Sequence, residues 1–311
     1  MPQDRIHSIS LLKCLAALLI TNSHFNGLYP ESISFLAFGG FFGNSLFFLV
    51  SGFLLFNCDK VVFPKWYTKR VLRIYLPYLI IIPFLLFEQY TRTHEWGGVI
   101  EWLFPIRKFH FIPSIIVLYP FYYLLTTLNN RKKVRYEVSI LIVFLIQLLY
   151  YSFLFDFSYE IDADFKLIPL LSYLQIMLIG GLIRQNKSEI KRYRWLFCGI
   201  VVVSFLVYVY QVFRPFSGHL GIIQLYAGLI FSGALACFIV SYEGRIVSVA
   251  IVEYIGNLTL EIYLVQFMLI DAFLYFAFPL NILLCLISIV ATAYCVNYLS
   301  ERLKSTIPIM K

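Results

Sequence analysis

Long apolar stretches recur along the whole chain and are separated by short polar segments. Each is close to the roughly 20 residues that an α-helix needs to cross the hydrocarbon core of a bilayer. They predict ten membrane-spanning helices, and therefore an all-α, polytopic transmembrane bundle. The expected spans lie near residues 8–28, 38–57, 71–87, 110–128, 137–155, 167–183, 195–212, 220–241, 250–271 and 279–299. Because ten is an even number, both termini should lie on the same side of the membrane.

Basic residues are unevenly distributed among the connecting segments. Clusters at 60–73, 131–135 and 184–194 would share a side with the N-terminus, and they hold most of the 25 Lys and Arg residues. The loops on the other side hold few basic residues and are acidic around 156–164. Because short loops rich in Lys and Arg stay in the cytoplasm, this pattern predicts cytoplasmic termini.

The composition agrees with a membrane protein, since 60% of the residues are hydrophobic and 14% are charged. Soluble domains are nearer 45–50% apolar and about 25% charged. The cytoplasmic loops account for the net charge of +8, so we expect no nucleic-acid partner. The six cysteines show no metal-ligand spacing, and we expect neither a metal site nor disulfides. No A-x-A-like cleavage site follows the first span, so we interpret it as a retained helix. We expect a single domain, 1–311, without a soluble appendage.

The first span carries two ionisable residues, Lys13 and His24, eleven positions apart. On an ideal helix they differ by only about 20° in azimuth and by about 16 Å along the axis. Ionisable groups inside a membrane are costly and usually mark a functional site. The alternative is that Lys13 extends to the cytoplasmic headgroups while His24 lies near the opposite interface.

The second span contains four glycines between residues 39 and 52, together with Asn44 and Ser45. Small residues allow close approach of a neighbouring helix, which is the simpler interpretation of the glycines. The predicted topology places Asn44 and Ser45 at a depth similar to that of His24. They are therefore candidates for orienting its imidazole or binding a polar acceptor.

Further charged residues flank or enter later spans. Lys69, Arg70 and Arg73 lie at the cytoplasmic start of the third span, where they would bind either lipid headgroups or the phosphates of a cytosolic donor. Glu261 lies near the middle of the ninth span, close to Tyr263. A carboxylate at that depth should be paired or protonated, in either a structural or a catalytic role.

Several motifs together resemble the membrane acyltransferase 3 family, and they keep its order over nearly the whole chain. The motifs are RIHSISLLKCLAALLITNSH, GNSLFFLVSGFLL, YTKRVLRIYLPY, HFIPSIIVLYP beginning at His110, EYIGNLTLEIYLVQ and NYLSERLKS. The first contains Lys13 and His24 in the family's R/K-x10-H arrangement. Two departures stand out: Gln266 replaces a frequent His, and Ile112 and Pro113 replace an aromatic pair.

The resemblance implies an integral membrane O-acyltransferase, usually an O-acetyltransferase, that modifies sugar hydroxyls of bacterial surface glycans. Its donor would be acetyl-CoA or another acyl-CoA, acting as a co-substrate, with no tightly bound cofactor. The expected partners are the carbohydrate acceptor and membrane lipids, with glycan-synthesis proteins or a second copy of the chain as further possibilities. The expected location is the bacterial cytoplasmic membrane, with multiple passes.

In this reaction a base must remove the proton of a hydroxyl as that hydroxyl attacks a thioester. His24 is the expected catalytic base because imidazole titrates near neutral pH, and Lys13 would hold the donor or stabilise the oxyanion. The expected donor-binding residues are Lys69, Arg70 and Arg73; the expected orienting or acceptor-side residues are Asn22, Asn44, Ser45, His110, Glu261 and Tyr263. Direct transfer and an acyl-histidine relay are both open.

Two other classes of function fit parts of the sequence. A transporter or flippase for a glycolipid or acyl intermediate would use Lys13, His24 and Glu261 as a proton or substrate pathway. The absence of a detectable internal repeat argues weakly against it. A non-catalytic subunit of a glycan-synthesis complex gains some support from Gln266.

Overall fold

A computed structural model describes residues 6–94, 109, 111–155, 167–213, 222–247 and 249–310. This part of the chain is helical and contains no β-strand. Its α-helices are α1 His7–Ser23, α2 Gly40–Leu54, α3 Phe63–Thr93, α4 Phe111–Asn130, α5 Tyr136–Phe153, α6 Leu167–Gln185, α7 Lys187–Ile190, α8 Arg194–Phe213, α9 Ile222–Ser241, α10 Ala250–Asn257, α11 Thr259–Leu269 and α12 Leu280–Thr306. Short 3-10 helices lie at Asn26–Leu28, Glu31–Leu36, Cys58–Lys60, Lys191–Tyr193, Ile270–Phe273 and Pro308–Met310.

The predicted polytopic helical bundle is confirmed, and the protein is a multi-pass membrane protein. Among the described residues, eight segments are long and apolar enough to cross a membrane, or nine if the bent pair α10 and α11 counts as one span. Each of the ten predicted windows coincides with a helix or with this pair. Helix α1 has 17 residues and rises about 25 Å, less than the roughly 30 Å of a hydrocarbon core.

The first helix ends earlier than predicted. We expected a helix to residue 28, but α1 stops at Ser23 and His24 is its C-terminal cap. The Asn22 side chain donates hydrogen bonds to the carbonyls of Leu36 (2.7 Å) and Phe38 (2.9 Å). These bonds fold the following segment back against the helix end, so the prediction that His24 lies within the first helix is wrong.

The ninth predicted span is broken, although we expected one continuous helix over 250–271. Helices α10 and α11 meet at an angle of 73°, next to Gly256 and Asn257, which are poor helix formers. A Cβ at Gly256 would lie 2.7 Å from the Ser10 carbonyl oxygen, so only glycine allows α10 to approach α1 this closely. Irregular backbone at membrane depth is tolerated where it is buried in protein or lines a cavity.

Helix α2 packs backbone to backbone against α6. A Cβ at Gly52 would collide with the Met177 carbonyl, and one at Gly180 would collide with the Leu49 carbonyl. The Tyr122 hydroxyl also donates a 2.6 Å hydrogen bond to the Gly52 carbonyl. The glycines of the second span therefore allow close helix packing, which was the simpler of their two interpretations.

The N-terminus of α1 is held by a carboxylate from another element. Glu243, in the turn after α9, accepts hydrogen bonds from the backbone N–H groups of His7 (3.1 Å) and Ser8 (2.9 Å). Burial alone would raise the pKa of the Glu243 carboxyl, but the hydrogen bonds with Ser8 and His7 outweigh that effect and lower it. An anionic cap also opposes the helix dipole, so Glu243 fixes the start of the helix that carries Lys13.

A buried polar cluster joins α5, α6 and α9. The Gln147 amide donates to the Ile168 carbonyl (3.0 Å) and to the Ser172 hydroxyl (2.7 Å). Its oxygen accepts hydrogen bonds from the Tyr226 hydroxyl (2.6 Å) and the Gln175 amide. Side-chain hydrogen bonds of this kind hold helices together inside a membrane.

Candidate active site

A cavity of about 140 Å³ brings together three of the predicted site residues. Lys13 comes from α1, and Arg70 and Arg73 come from α3. The remaining polar lining is supplied by α2, α4 and the break between α10 and α11: Ser51, Tyr119, Asn257 and Thr259. Because these cations lie far apart in sequence, their convergence is a property of the fold.

Lys13 lies opposite the broken span. The Thr259 hydroxyl donates to the Gly256 carbonyl at 2.8 Å and lies 3.4 Å from the Lys13 carbonyl. These contacts place the irregular backbone at 256–259 directly against the turn of α1 that carries Lys13. Lys13 therefore lines the cavity together with backbone and hydroxyl groups that can share a polar ligand.

Arg70 and Arg73 are one turn apart on α3, and residues with this spacing share a helix face. Both lie within electrostatic range of the Tyr119 hydroxyl. The Nε atom of Arg70 is buried and has no hydrogen-bond partner within the described part of the chain. Lys69 is half-buried on the same helix but does not line the cavity. The two arginines therefore present a fork of donors to the cavity, as phosphate binding requires.

Glu261 is only 4% exposed, in the first turn of α11. No ion pair within 4 Å joins it to Lys13 in the described structure, although the two interact electrostatically. Arg73 and Lys304 are also within electrostatic range of its carboxyl. Glu261 therefore belongs to a wider charged group around α3, α11 and α12, and it forms no direct ion pair with Lys13 in the described structure.

His24 lies away from the cavity, at the opposite end of α1. Its ring contacts the Phe267 ring edge-on, with centroids 4.6 Å apart. Asn22 is engaged with the loop carbonyls of Leu36 and Phe38 and also accepts a 2.8 Å hydrogen bond from the Tyr29 hydroxyl. Asn22 thus orders the segment around His24 and has little capacity left for a ligand.

An unbroken series of aromatic contacts separates His24 from the cavity. Phe47 and Phe111, which line the cavity, have ring centroids 4.5 Å apart. Phe111 contacts Tyr263 at 5.3 Å, and Tyr263 contacts Phe267 at 5.8 Å. We call Phe47, Phe111, Tyr263 and Phe267 the aromatic layer. Tyr263, which we predicted near the acceptor side, is part of this layer and is 4% exposed.

Asn44 and Ser45 lie on α2 between the two ends of α1. Gly40 is level with Ser23, and Gly43 is level with Ile20, so Asn44 and Ser45 lie slightly deeper than His24. In the part of the protein that the structure describes, the Asn44 Oδ1 and Ser45 Oγ atoms are buried without hydrogen-bond partners. His110, another predicted site residue, lies outside the described residues.

Some lining residues were missed by sequence reasoning. Tyr119, Asn257 and Thr259 line the cavity but carry no charge and stand in no catalytic spacing. The Gly256-Asn257 pair inside an apolar run was an available signal, since such pairs interrupt helices. Tyr119 lies within the motif HFIPSIIVLYP, but nothing in that motif distinguished it from its neighbours.

A protein-family model described as an acyltransferase domain matches residues 6–300. The chain belongs to the acyltransferase 3 family. The predicted family membership is confirmed, and the match includes every residue that lines the cavity of Lys13, Arg70 and Arg73. Comparisons with curated proteins and with solved structures gave no match. As a member of this family, the protein is a membrane acyltransferase.

Proposed function

We propose that the protein transfers an acetyl group from acetyl-CoA to a hydroxyl of a cell-surface or lipid-linked carbohydrate. The observation that carries the proposal is the convergence of Lys13, Arg70 and Arg73 on one cavity in a chain of the acyltransferase 3 family. Three cations and the buried Nε of Arg70 suit an anionic donor such as a nucleotide thioester. We infer that the end of the molecule that holds this cavity faces the cytoplasm, because the basic clusters at 60–73 and 184–194 lie at the same end.

His24 acts as the general base in the proposed reaction. Its imidazole takes the proton of the sugar hydroxyl as the hydroxyl oxygen attacks the thioester carbon. The tetrahedral intermediate then collapses, the carbon–sulfur bond breaks, and the thiolate of coenzyme A leaves and takes up a proton. The new carbon–oxygen bond is the ester on the sugar.

The aromatic layer lies between the donor cavity and His24, so part of the donor must cross it. Acetyl-CoA enters from the cavity, and its long, flexible arm has to pass Phe47 and Phe111 before the thioester meets the imidazole. A narrow apolar passage admits such an arm while the phosphates stay with the cations, since burying unpaired charge in apolar surroundings is costly. The layer also keeps water from the thioester, which limits hydrolysis.

Substitution of His24 tests the proposal. We expect the His24→Ala and His24→Gln variants to lose about 10²–10⁴-fold in acetyl transfer, the range for a general base, while folding and donor binding persist. His94→Ala is the matched control, because His94 is an exposed cap at the end of α3. The assay supplies purified protein in vesicles with labelled acetyl-CoA and an extract of surface glycan. Full transfer by a folded His24→Ala variant would disprove the assigned role.

One observation favours a transporter as the second candidate. The break between α10 and α11 lies beside Lys13, and broken helices with ligand sites at the break are a feature of transporters. A transporter would move its substrate without changing it covalently. Label from acetyl-CoA appearing in the glycan supports the enzyme, whereas movement of unmodified substrate in the absence of acetyl-CoA supports the transporter.

A further inference from the structure

A second cavity, of about 540 Å³, adjoins the first. The two cavities share Lys13, Leu54 and Asn257, so Lys13 stands at their junction. The second cavity is within the roughly 300–1,000 Å³ typical of ligand pockets. Two further cations line it, Arg184 and Lys187, neither of which the sequence analysis connected with a ligand.

The order of lining residues shows where the second cavity lies. On α1, Ile9 and Ser10 line only the second cavity, which therefore extends from Lys13 toward the helix N-terminus and away from His24. On α2, Val50 and Ser51 line only the first cavity, and Phe56 and Asn57 beyond the helix line only the second. Both helices thus place Arg184 and Lys187 farther from His24 than Arg70 and Arg73.

A ring contact positions Arg184, and no other residue of the described structure forms a hydrogen bond or an ion pair with its guanidinium group. Its guanidinium carbon lies 5.1 Å from the centroid of the Phe53 ring, a cation–π contact that orients the group. Lys187 opens the short helix α7, and the carboxylate of Glu253, which also lines the cavity, is paired with His7 at 2.9 Å. The Glu243 carboxylate, which caps α1, is also within electrostatic range of Lys187. Among the described residues, no ion pair within 4 Å joins Arg184 or Lys187 to a carboxylate, and cations outnumber carboxylates in the lining of this cavity.

We propose that Arg184 and Lys187 bind the phosphomonoester on the ribose of the donor, while Lys13, Arg70 and Arg73 bind its diphosphate. This inference rests on the proposed function and adds a second phosphate subsite to it. Coenzyme A carries its phosphomonoester and diphosphate as two separate anionic groups, and the thioester lies beyond the diphosphate. Two cation groups on either side of Lys13 match this order, with the thioester directed to Phe47 and Phe111.

The test compares coenzyme A with dephospho-coenzyme A, which lacks only the phosphomonoester. Full-length protein in phosphatidylcholine nanodiscs is titrated with each ligand, so that no anionic lipid headgroup supplies a competing phosphate. We expect the wild type to bind coenzyme A at least about tenfold more tightly than dephospho-coenzyme A, as charge-assisted hydrogen bonds imply. The Arg184→Gln/Lys187→Gln variant should lose this difference and bind dephospho-coenzyme A as the wild type does.

The Lys191→Gln/Arg192→Gln variant is the matched control. It makes the same change in net charge, and both side chains are exposed and line neither cavity. Lys187→Gln alone serves if the double variant does not fold, with a partial loss expected. An unchanged preference in a folded variant, or an equal loss in the control, overturns the subsite alone. Failure of the wild type to bind coenzyme A overturns both the subsite and the proposed donor.

Nanodiscs in which phosphatidic acid replaces part of the phosphatidylcholine compare the donor with a lipid phosphomonoester. Loss of the preference for coenzyme A in these nanodiscs shows that the lipid phosphate takes the place of the nucleotide phosphate, and it overturns the assignment of the two cations to the donor in an anionic membrane. Equal results in both membranes support it.

Discussion

Two groups of buried polar side chains in this protein differ in their bonding. In the cluster of α5, α6 and α9, Gln147 forms hydrogen bonds with both its amide nitrogen and its oxygen. Gln266 on α11 is fully buried, yet neither atom of its amide has a hydrogen-bond partner within the described residues. Ser45 Oγ and Arg70 Nε share that condition.

The contrast is between a cluster that holds three helices together and unpaired groups on the helices of the candidate site. Buried hydroxyls without partners among the described residues also occur elsewhere, as at Ser139 and Ser232. A buried polar group without a hydrogen-bond partner costs about 1–3 kcal/mol of stability. Such groups are uncommon in folded proteins, and a functional site is one place where they are expected. Gln266 lies between Tyr263 and Phe267 on α11, the helix that contributes both of these rings to the aromatic layer.

Gln147→Leu should give the largest change in stability. It leaves the Tyr226 and Ser172 hydroxyls and the Gln175 amide without their shared partner, and we expect a loss of about 1–3 kcal/mol. Thermal unfolding in detergent measures the loss, and acetyl transfer per folded molecule should be unchanged. A fall in specific activity larger than the fall in folded protein would show that this cluster is not purely structural.

Gln266→Leu should act in the opposite direction. No hydrogen bond is lost and an uncompensated amide is removed, so stability should stay constant or rise by up to about 1–2 kcal/mol. Acetyl transfer should fall several-fold, because α11, which carries two rings of the aromatic layer, loses its unpaired buried amide. The same unfolding and transfer assays apply, and a clear destabilisation would contradict the contrast with Gln147.

Phe267→Leu tests the contact that orients His24. Loss of the edge-on ring contact removes about 0.5–1.5 kcal/mol of the interaction energy that orients the imidazole. This loss should lower kcat by about two- to tenfold. The KM for acetyl-CoA should not change, because the cations of the donor cavity are untouched. A changed KM with constant kcat would place Phe267 in donor binding.

Glu243→Gln should have the smallest effect, a loss of at most about 1 kcal/mol, because the amide oxygen still accepts from one of the two backbone N–H groups, although the second bond and the charge are lost. The folded pKa of Glu243 is lowered, so its contribution is complete above the unfolded pKa, near 4.3. It disappears as the pH falls through the folded pKa. The unfolding temperatures of wild type and variant should therefore converge in acid, and a constant difference would contradict this assignment.

Sequence alone predicted the elements of the bundle far better than their ends and contacts. Apolar length identified every helical window, because bilayer thickness fixes the number of residues required. It did not identify the end of α1 at Ser23, which depends on Asn22 bonding carbonyls of residues 36 and 38. The break beside Gly256 depends on close approach to Ser10, which is likewise a tertiary contact.

The candidate site was predicted in part for the same reason. Charge identified Lys13, Arg70 and Arg73, and the fold brings them to one cavity. The helical periodicity that suggested one stripe for Lys13 and His24 extends only to Ser23. The aromatic layer between them comes from three helices, α2, α4 and α11, so periodicity within one helix gave no indication of it.

The backbone contact at Gly52 and Gly180 has a mechanical consequence. Helices α2 and α6 touch through backbone atoms, and the Tyr122 hydroxyl bonds the same position of α2 to α4. These three helices should therefore move as one rigid unit. Helix α11 carries Tyr263 and Phe267, and the break at its start interrupts the helical hydrogen bonding to α10. We expect the acyl arm to be admitted by a rotation of α11 relative to the rigid unit of α2, α4 and α6.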